Sequence, residues 1–462
     1  MTIDTDIATL RAGFTGTVSA PGDDDYDDAR ALWNGLIDRR PRLIARCESV
    51  GDVAAAVRLG VDSGLELAIR GGGHSFSGAS CVDDGLMIDL SRMNSVVVDP
   101  VARTAVCGPG ASLADLDGAT QQHGLAVPGG TISHTGIAGL TLGGGFGWLT
   151  NGHGLTIDNL TGADVILADG RLVRASAEEN PDLFWAIRGG GGNFGVVTSF
   201  EYRLHEVGPM VNLGMFFWDL DHGGDMLRLV REIAPTLPRS AGAMIAGLNA
   251  PPAPFVAPKH HFKPGYAFII AGFGSPEEHA RLVAPLRDAG PLFEFVTPMP
   301  YVGLQSMLDD SAPWGINAYE KALNLDELTD DVISVITEMI PLKNSPMSIM
   351  PMFRLDGAYC EPGEDDTAFS ARRTPMYVAN FAAVAPTPDL LELDRAWSRG
   401  FYEALLPHAG DAGVYVNFMA EYEEDRVRAA YGQAKYQRLA RIKAAYDPAN
   451  VFHRNMNIKP EA

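Results

Sequence analysis

The sequence predicts an α+β protein that is divided into domains. The chain has 462 residues, of which 46% are apolar and 20% are charged, a composition typical of globular proteins. A chain of this length usually forms two or three domains. Glycine-rich clusters stop near Val207–Pro209, and from Met210 onward longer apolar strands alternate with helices. We therefore predict domains at residues 1–208 and 209–410, followed by a C-terminal segment at residues 411–462.

The first domain is predicted to begin with a strand–helix–strand unit over Leu43–Arg70. Ser49 is a suitable N-cap, valines recur at helical spacing from Val53 to Val61, and Gly64 is a typical helix stop. The same reasoning predicts further strands and two helices in this domain. The strands are Met87–Leu90, Val96–Asp99, Arg103–Cys107, Leu160–Leu167, Leu172–Ala175 and Val196–Leu204, and the helices are Ser112–His123 and Asn180–Ile187.

The second half of the chain is predicted to contain longer strands that alternate with helices. The clearest strands are Val211–Trp218, Tyr266–Phe273 and Met376–Val384, and the clearest helices are Met226–Ile233 and Glu327–Met339. Near the C-terminus, Gly413–Asn417 has a strand-like pattern. Val427–Tyr446 has a helical pattern, which Asp447-Pro448 ends.

The charge balance excludes several classes of partner. Lys and Arg total 36 and Asp and Glu total 58, a net charge of −22, which repels nucleic-acid phosphates and anionic membrane surfaces. No stretch approaches the ~18 apolar residues of a membrane span, and Met1–Phe14 shows no secretory leader pattern. The four cysteines have no zinc-like spacing and indicate reduced thiols. We therefore expect a cytoplasmic protein that has no metal site and binds neither nucleic acid nor membrane.

Three glycine clusters are the most informative feature of the sequence. They are Arg70–Ser75, Gly143–Gly147 and Gly189–Gly195, and the second lies in a long loop predicted over Pro128–Gly154. Loops of this length are usually functional. Glycine permits positive φ and close approach of backbone amides, which form anion-binding nests. The three clusters together favour one large ligand with a pyrophosphate, such as a dinucleotide, contacted from several loops.

The third cluster contains a G-x-G-x-x-G pattern at Gly190, Gly192 and Gly195. In a doubly wound nucleotide-binding domain this pattern follows a strand and opens a helix. Here the order is reversed, because a predicted helix precedes the cluster and a β-branched run follows it from Val196. A doubly wound domain is therefore rejected. Metal hydrolases and nucleotide-dependent kinases are also disfavoured, since neither H-E-x-x-H nor G-x-x-x-x-G-K-[ST] occurs.

The glycine clusters and several later blocks resemble the berberine-bridge-enzyme-like FAD-linked oxidases of the vanillyl-alcohol-oxidase superfamily. The blocks are RGGGHS at 70–75, GGGFG at 143–147, NPDLFW at 180–185, GGGGNFGVV at 189–197, YVN at 415–417, YDPANVF at 446–452 and NMNI at 455–458. The resemblance spans about Pro41 to Pro460. It implies a two-lobed FAD-binding domain of the superfamily type, an α+β substrate-binding domain with an antiparallel sheet, and a C-terminal segment that returns to the FAD domain.

The resemblance also implies a covalent flavin. His74 matches the family histidine that bonds to the 8α-methyl group of FAD. Many relatives form a second bond through a cysteine, but Ile132 stands at the matching position. No cysteine lies between Val127 and Gly147. The implied cofactor is therefore FAD with a single covalent attachment, as in some bacterial members of the family.

Further residues match FAD-binding positions of the family. The resemblance assigns the pyrophosphate to the first glycine cluster and the ADP half and flavin edge to residues 130–148. It assigns the adenine side to one valine and the isoalloxazine ring to two asparagines. The residues are Arg70, Gly71, Gly72, Gly73, His74, Ser75, Gly130, Thr131, His134, Thr135, Gly136, Gly139, Gly144, Gly145, Gly147, Trp148, Val197, Asn455 and Asn457.

The catalytic residues are less clear from the sequence. Several relatives place a tyrosine base at the end of a Y-x-N-Y block, which here ends in Phe418. Tyr415 and Asn417 remain the catalytic candidates, and alternation along a strand would put them on one face. Either the base lies elsewhere or the substrate needs none. The runs Lys259–His261 and Tyr319–Lys321 also offer acid–base groups, although surface charge is the favoured interpretation for both.

The implied activity is that of an FAD-dependent oxidase acting on a small molecule. Such an enzyme removes a hydride from a C–H bond next to oxygen or nitrogen, or drives an oxidative cyclisation, and O2 reoxidises the flavin to give H2O2. The alternative is a flavoprotein of natural-product tailoring or sequestration with little oxidase turnover, or a dehydrogenase that uses another acceptor. Residues 210–406 carry no readable motif, so the substrate and the oligomeric state stay open.

Overall fold

The computed structural model describes residues 11, 13–410, 415–418 and 424–461. Within this part of the chain, three sheets are formed by strands between residues 17 and 206, and one seven-stranded sheet is formed between residues 210 and 385. Helices accompany all the larger sheets. The predicted α+β class is confirmed, and the change from small sheets to the large one falls beside the boundary predicted at residue 208.

The strands of the first half build two principal sheets. They are β1 (Thr17–Ser19), β2 (Leu43–Arg46), β3 (Leu67–Arg70), β4 (Leu86–Asp89), β5 (Val96–Asp99), β6 (Thr104–Cys107), β7 (Leu125–Ala126), β8 (Leu160–Ile166), β9 (Leu172–Ser176), β10 (Val196–Arg203) and β11 (His205–Glu206). A four-stranded sheet has the order β1-β2-β4-β3, and β4 is parallel to both of its neighbours. A five-stranded antiparallel sheet has the order β5-β6-β10-β8-β9, and β7 pairs with β11.

The strands of the second half form a single antiparallel sheet. They are β12 (Met210–Asp219), β13 (Ala241–Asn249), β14 (Pro264–Gly272), β15 (Phe293–Pro300), β16 (Asn317–Leu325), β17 (Met350–Leu355) and β18 (Met376–Ala385). Their order is β15-β12-β14-β13-β17-β18-β16, and all six pairings are antiparallel.

The helices lie between and beside these strands. They are α1 (Tyr26–Arg30), α2 (Val50–Asp62), α3 (Leu113–Thr120), α4 (Ile137–Leu142), α5 (Thr150–His153), α6 (Pro181–Ile187), α7 (Gly223–Ile233), α8 (Pro276–Asp288), α9 (Tyr301–Ser306), α10 (Asp330–Met339), α11 (Pro388–Leu405) and α12 (Glu424–Tyr446). Helices α3, α6 and α12 share a core with the five-stranded sheet. Helices α7, α8, α10 and α11 pack on one face of the seven-stranded sheet, and its other face packs on residues 146–157 and Tyr415.

The local patterns of the first half are mostly confirmed. Ser49 caps α2 through a capping box with Asp52, and Gly64 has the left-handed φ of 64° expected of a helix stop. Two expectations are wrong. Pro128–Gly154 contains the short helices α4 and α5, and Val416 and Asn417 lie in a 3₁₀ turn rather than in a strand, while Gly413 and Val414 of that predicted strand lie outside the described residues. The helix predicted over Val427–Tyr446 is confirmed as part of α12, which is interrupted at Gly432, whose φ of 70° and ψ of 161° are not helical.

The N-terminal part of the chain is joined directly to the seven-stranded sheet. Asn34 forms a parallel bridge with Ile316, just before β16, and its side-chain amide donates to the carbonyl of Ala318 at 2.9 Å. The amide of Gly315 donates to the carbonyl of Trp33 at 2.9 Å. Residues 33–35 therefore extend the sheet beyond its edge strand β16.

The four cysteines are all free, and Cys47, Cys81 and Cys107 are buried. This agrees with the prediction of reduced thiols.

None of the helices in the described ranges has both the length and the apolar character that a membrane crossing requires. Among the described residues no cluster of three or more His, Cys, Asp or Glu side chains has the geometry to hold a metal ion.

Candidate active site

A cavity of about 330 Å³ lies between the loops of the first half and the face of the seven-stranded sheet opposite helices α7, α8, α10 and α11. One side, which we call the loop wall, consists of His74, Ser75, Phe76, Gly130, Thr131, Ile132, Thr135, Gly136, Gly139 and Leu140. The opposite side, the sheet wall, consists of Met244, Ile349, Pro351, Phe353, Asn380, Ala382 and Val384. The remaining lining residues are Trp33, Phe146, Leu308, Ser311, Ala312, Tyr415, Asn417, Phe418 and Asn455.

His74 is held in the loop wall by two rings. Its imidazole stacks on Trp33 with a centroid distance of 4.4 Å and an interplanar angle of 15°, and its Nε2 lies 3.0 Å from Nδ1 of His134. Burial and the neighbouring His134 lower the pKa of His74 to about 3. His74 is therefore neutral at physiological pH, which leaves one ring nitrogen with a free lone pair.

A carboxylate lies behind the second histidine. Asp309 accepts hydrogen bonds from the backbone amide of Ser133 at 2.7 Å and from its hydroxyl at 2.5 Å. Burial lowers the pKa of His134, whereas the Asp309 charge and the Ala312 carbonyl raise it. Burial is the largest of these effects, so the pKa of His134 lies below its ordinary value.

Two glycines bring the first glycine cluster against the second loop. A Cβ on Gly72 would lie 2.4 Å from Cα of Gly136, and a Cβ on Gly136 would lie 2.5 Å from Cα of Gly72. Real Cβ atoms do not approach backbone so closely, so both positions require glycine. By contrast, a Cβ on Gly139 would meet nothing within 4 Å, so this part of the loop wall faces open space.

The other members of the predicted cofactor set lie around this wall rather than in it. Arg70 donates to the Ala29 carbonyl at 2.7 Å, and Trp148 is 2% exposed in the core shared with the seven-stranded sheet. Val197 is buried in β10, and the buried Oδ1 of Asn457 has no hydrogen-bond partner within the part of the chain that the structure describes. The glycines that surround rather than line the cavity are Gly71, Gly72, Gly73, Gly144, Gly145 and Gly147.

Tyr415 and Asn417 both line the cavity, although they do so from a 3₁₀ turn. The phenol oxygen of Tyr415 accepts from the Gly145 amide at 3.1 Å and from Asn417 Nδ2 at 2.8 Å. Burial raises the pKa of Tyr415 to about 12, so its hydroxyl keeps a proton that it can donate. Phe418 packs edge-on against Tyr415 and Phe146 and adds no polar group.

The interpretation of Glu320 as surface charge is wrong. Glu320 is 0% exposed, and its Oε2 accepts a hydrogen bond from Asn380 Nδ2 at 2.7 Å. It lies opposite Ala382 in the β16–β18 pair, so its side chain shares a face with the sheet wall. Its Oε1 and the Oδ1 of Asn380 have no hydrogen-bond partner among the described residues. The signal that could have identified it is its place two residues after Ala318 and two before Ala322, which alternation puts on one apolar face of the strand.

The C-terminal tail is fastened to the third glycine cluster by a buried ion pair. Lys443 and Asp447 are both 0% exposed and lie 2.7 Å apart. Lys443 also donates to the carbonyls of Asn193 and Phe452, and Asn193 accepts from the Ile458 amide. These bonds position Asn455, which reaches the cavity.

The residues present fit the flavin dinucleotide that the motifs imply. The loop wall offers a neutral imidazole and a helix face at Gly139 with open space beside it. The buried Nε2 of His134 and the buried Oδ1 of Asn457 have no partner among the described residues. Polar atoms of a bound dinucleotide could serve as their hydrogen-bond partners.

Comparisons with known proteins agree with this interpretation. Residues 41–176 match the family described as FAD binding domain, and residues 414–459 match the family described as berberine and berberine like. An FAD-linked oxidoreductase of Dictyostelium discoideum is 31% identical over 96% of this chain and 95% of its own length. (R)-6-hydroxynicotine oxidase of Paenarthrobacter nicotinovorans is 30% identical over 96% of this chain and 97% of its own length.

Solved structures show the same fold. The crystal structure of 6-hydroxy-D-nicotine oxidase from Arthrobacter nicotinovorans aligns with a TM-score of 0.86 and 28% identity over 97% of this chain and 99% of that one. Glucooligosaccharide oxidase from Acremonium strictum, which carries a 6-S-cysteinyl, 8α-N1-histidyl FAD, aligns with a TM-score of 0.86 and 25% identity over 99% of both chains. With these relatives and the motif order, the chain belongs to the berberine-bridge-enzyme-like family and is an FAD-linked oxidoreductase.

Proposed function

We propose that this protein is an oxidase whose FAD is covalently attached through His74 alone and which oxidises a small, largely apolar molecule with O2 as the electron acceptor. The observation that carries the proposal is the position of a neutral His74 in one wall of a cavity whose opposite wall is apolar. When bound, FAD accepts a hydride from the substrate carbon and passes two electrons to O2, which yields H2O2.

The single attachment is supported by the chemistry of the cavity lining. Ile132 lines the cavity at the position where relatives have a cysteine, and it cannot form a thioether. None of the four cysteines lines the cavity. Burial raises the pKa of Cys47, Cys81 and Cys107, which disfavours the thiolate that such a bond requires.

The substrate class is supported by the sheet wall and the residues beside it. Met244, Phe353 and Val384 present apolar side chains, and no Lys, Arg, Asp or Glu is among the lining residues in the described part of the chain. A charged substrate would lose its hydration in this cavity without gaining a counter-ion. An uncharged alcohol or amine with a mainly hydrocarbon framework fits better than an oligosaccharide, which needs many hydrogen-bond partners.

A few polar side chains in the cavity lining can form hydrogen bonds with a substrate. Tyr415 has a hydroxyl proton free for donation, because its oxygen already accepts two hydrogen bonds. Asn380 presents its amide from the sheet wall, and its Nδ2 donates to Glu320, which lies on the same face of the sheet. We propose that these groups bind the oxygen or nitrogen next to the reacting C–H bond and orient the substrate.

The covalent link is tested by denaturation. We expect acid-precipitated protein to stay yellow and to show one flavin per chain, and His74→Ala to release all flavin into the supernatant. His453→Ala is a matched control, because that histidine is in an exposed ion pair with Glu66 and should retain the flavin. Complete release of flavin by the unaltered protein would contradict the covalent proposal.

The oxidase activity and the substrate class are tested together by peroxide release. A panel of aromatic and alicyclic alcohols and of aromatic amines, which are uncharged at neutral pH, should include substrates, whereas oligosaccharides and carboxylates should give kcat/KM values lower by about tenfold or more. Peroxide release only from oligosaccharides would contradict the proposed substrate class.

A second function is favoured by Phe418, which removes the tyrosine that several relatives use as a base. The protein would then use another electron acceptor or bind a natural product with little turnover. Mixing the reduced enzyme with O2 in a stopped-flow instrument distinguishes the two functions. Reoxidation within seconds supports the oxidase, and reoxidation over minutes supports the alternative.

A further inference from the structure

We propose that Trp314 is the docking site of a second electron acceptor, a flat aromatic cation of the phenazinium type, which takes electrons from the flavin through a row of rings that begins at His74. The inference rests on the proposed attachment of FAD at His74. It adds to that proposal an exit for electrons at the protein surface, separate from the cavity.

A continuous row of aromatic rings leads from the loop wall to the surface. Its inner members are Trp33 and His74, whose centroids are 4.4 Å apart, and the His74 centroid lies 4.9 Å from that of His134. The row continues from His134 to Trp314 with a centroid distance of 6.4 Å. Trp33 is 1% exposed, whereas Trp314 is 47% exposed. The row therefore has a buried end at the proposed flavin attachment and an open end at Trp314.

The indole of Trp314 also approaches the backbone next to His74. A Cβ on Gly73 would lie 3.6 Å from Cη2 of Trp314, which is an ordinary van der Waals distance. The segment that carries the indole is held in place, because the amide of Gly315 donates to the carbonyl of Trp33 at 2.9 Å. The exposed ring thus stays at a short and fixed distance from His74.

Packed rings of this kind permit electron transfer between groups that do not touch each other. Electrons tunnel between redox groups at a rate that falls steeply with separation, and the rate is higher through packed atoms than through water. A flavin bonded to His74 and an acceptor stacked on Trp314 would be connected through neighbouring rings at every step. The rings serve as the medium and are themselves neither oxidised nor reduced.

The shape and the charge at the exposed end select the acceptor. An indole face binds flat aromatic groups by stacking and is the side-chain ring that cations prefer. Asp309 and Asp310 lie in the turn just before Trp314, Asp310 is exposed, and the chain has a net charge of −22. Arg70, on the inner side, is mostly buried and lies 3.9 Å from Asp89. An aromatic cation is therefore attracted to this ring, and anionic acceptors are repelled.

The redox step balances without a further reactant. Two electrons leave the reduced flavin, which returns to its oxidised form. The phenazinium ion takes up both electrons and one proton, which the reduced flavin releases, and becomes the neutral dihydrophenazine. No bond to the protein forms or breaks, and no H2O2 is produced by this route.

The test compares a cationic acceptor with O2 on the same protein. Holoenzyme is reduced anaerobically with one equivalent of dithionite and mixed in a stopped-flow instrument with N-methylphenazinium or, separately, with O2, while the flavin absorbance is followed. For Trp314→Ala we expect reoxidation by subsaturating N-methylphenazinium to be about tenfold slower, the effect of losing one stacking and cation–π contact. Reoxidation by O2 and flavin content should be unaltered.

Binding is measured separately from electron transfer. Calorimetric titration of the oxidised protein with N-methylphenazinium should show binding about tenfold weaker for Trp314→Ala. Trp314→Tyr keeps an aromatic face and should retain most of the affinity. Phe262→Ala removes another exposed ring, 58% exposed, and should change neither binding nor rate. Added salt should weaken binding and slow reoxidation by this cation.

Each outcome supports the proposal or overturns it. Unaltered reoxidation of Trp314→Ala by N-methylphenazinium would overturn it, as would the absence of any reaction in the unaltered protein or a rate that does not fall with salt. An equal loss of the reaction with O2 would also overturn it, in favour of a structural role for Trp314. Flavin that acid releases from the unaltered protein would overturn the link through His74 and this inference together, and slow reoxidation by O2 alone would contradict only the oxidase activity.

Discussion

The two walls of the cavity differ in what forms them, which is closely packed backbone in the loop wall and side chains in the sheet wall. The loop wall depends on contacts between backbones, as at Gly72 and Gly136, where no side chain fits. The sheet wall presents side chains from β13, β17 and β18, and the backbone of these strands is already satisfied within the sheet. Substitutions in the sheet wall therefore change the surface of the cavity without changing its scaffold, whereas substitutions in the loop wall change the scaffold itself.

This difference assigns separate tasks to the walls. A cofactor common to a family can be held by an invariant arrangement of backbone, while substrate choice can vary with the side chains of a regular sheet. Variants of the loop wall and its anchors should lose flavin and stability together. Variants of the sheet wall should keep the flavin, change substrate preference or the pH dependence of stability, and cost less stability than variants of the loop wall.

The largest effect is expected where the cofactor side is anchored. Lys443→Met leaves the buried Asp447 without its cation, which should lower the free energy of unfolding by about 3–5 kcal/mol. Urea denaturation measures this loss, and bound flavin should fall in parallel. Arg171→Met removes an exposed ion pair with Asp169 and should cost less than about 1 kcal/mol. Equal losses for the two variants would contradict the anchoring role.

The next effect concerns the contact between the two loops. Gly136→Ala puts a Cβ 2.5 Å from Cα of Gly72, which should cost about 1–3 kcal/mol and separate the loops. Flavin content measured by absorbance should fall. Gly118→Ala, in α3, meets nothing within 4 Å and should stabilise the protein by about 0.5–1 kcal/mol. Full flavin content in Gly136→Ala would show that the loops tolerate separation.

A smaller effect, visible as a pH slope, is expected at Glu320. Burial raises the pKa of Glu320 from its ordinary value of 4.5 to about 8. Between these values the unfolded chain releases a proton that the folded chain keeps, so this group lowers stability as pH rises from about 4.5 to about 8, and its effect is constant above. Glu320→Gln should flatten the stability profile in that window and leave flavin content unchanged. Unfolding curves at pH 5, 7 and 9 check this, and parallel profiles would contradict it.

The smallest effect is expected for a conservative change in the sheet wall. Ile349→Val removes one methylene next to the cavity and should cost about 0.5–1.5 kcal/mol. Flavin content should stay at one per chain. KM for bulkier substrates should fall by a few fold, because the cavity becomes wider. A loss of flavin here would break the distinction between the walls.

The loop wall could be predicted from the sequence because its residues are contiguous. His74 follows three glycines, and ten of the predicted cofactor and catalytic positions line the cavity, including Gly130, Thr135 and Asn455. Such motifs report local backbone requirements, which short sequence windows contain. The roles assigned to these residues stay predictions.

The sheet wall could not be predicted, since single residues from distant strands form it. Met244, Phe353 and Asn380 have no shared motif, and each looks like an ordinary core residue in its own strand. The sequence misleads at Glu320 because a Glu-Lys pair is typical of a surface, whereas in β16 Glu320 is 0% exposed on the face of the cavity and Lys321 lies half-buried on the opposite face. The Tyr415–Asn417 contact was expected from strand alternation but arises from a 3₁₀ turn.

The segment at residues 33–35 has a consequence for how the loop wall can move. Trp33 stacks on His74, its indole donates to the Ala312 carbonyl at 2.7 Å, and Asn34 is bonded beside β16. One short stretch of chain thus contacts the imidazole of His74 and the edge of the seven-stranded sheet at the same time. Any separation of the loop wall from that sheet edge would break the Trp33–His74 stacking or the hydrogen bonds of Trp33 and Asn34.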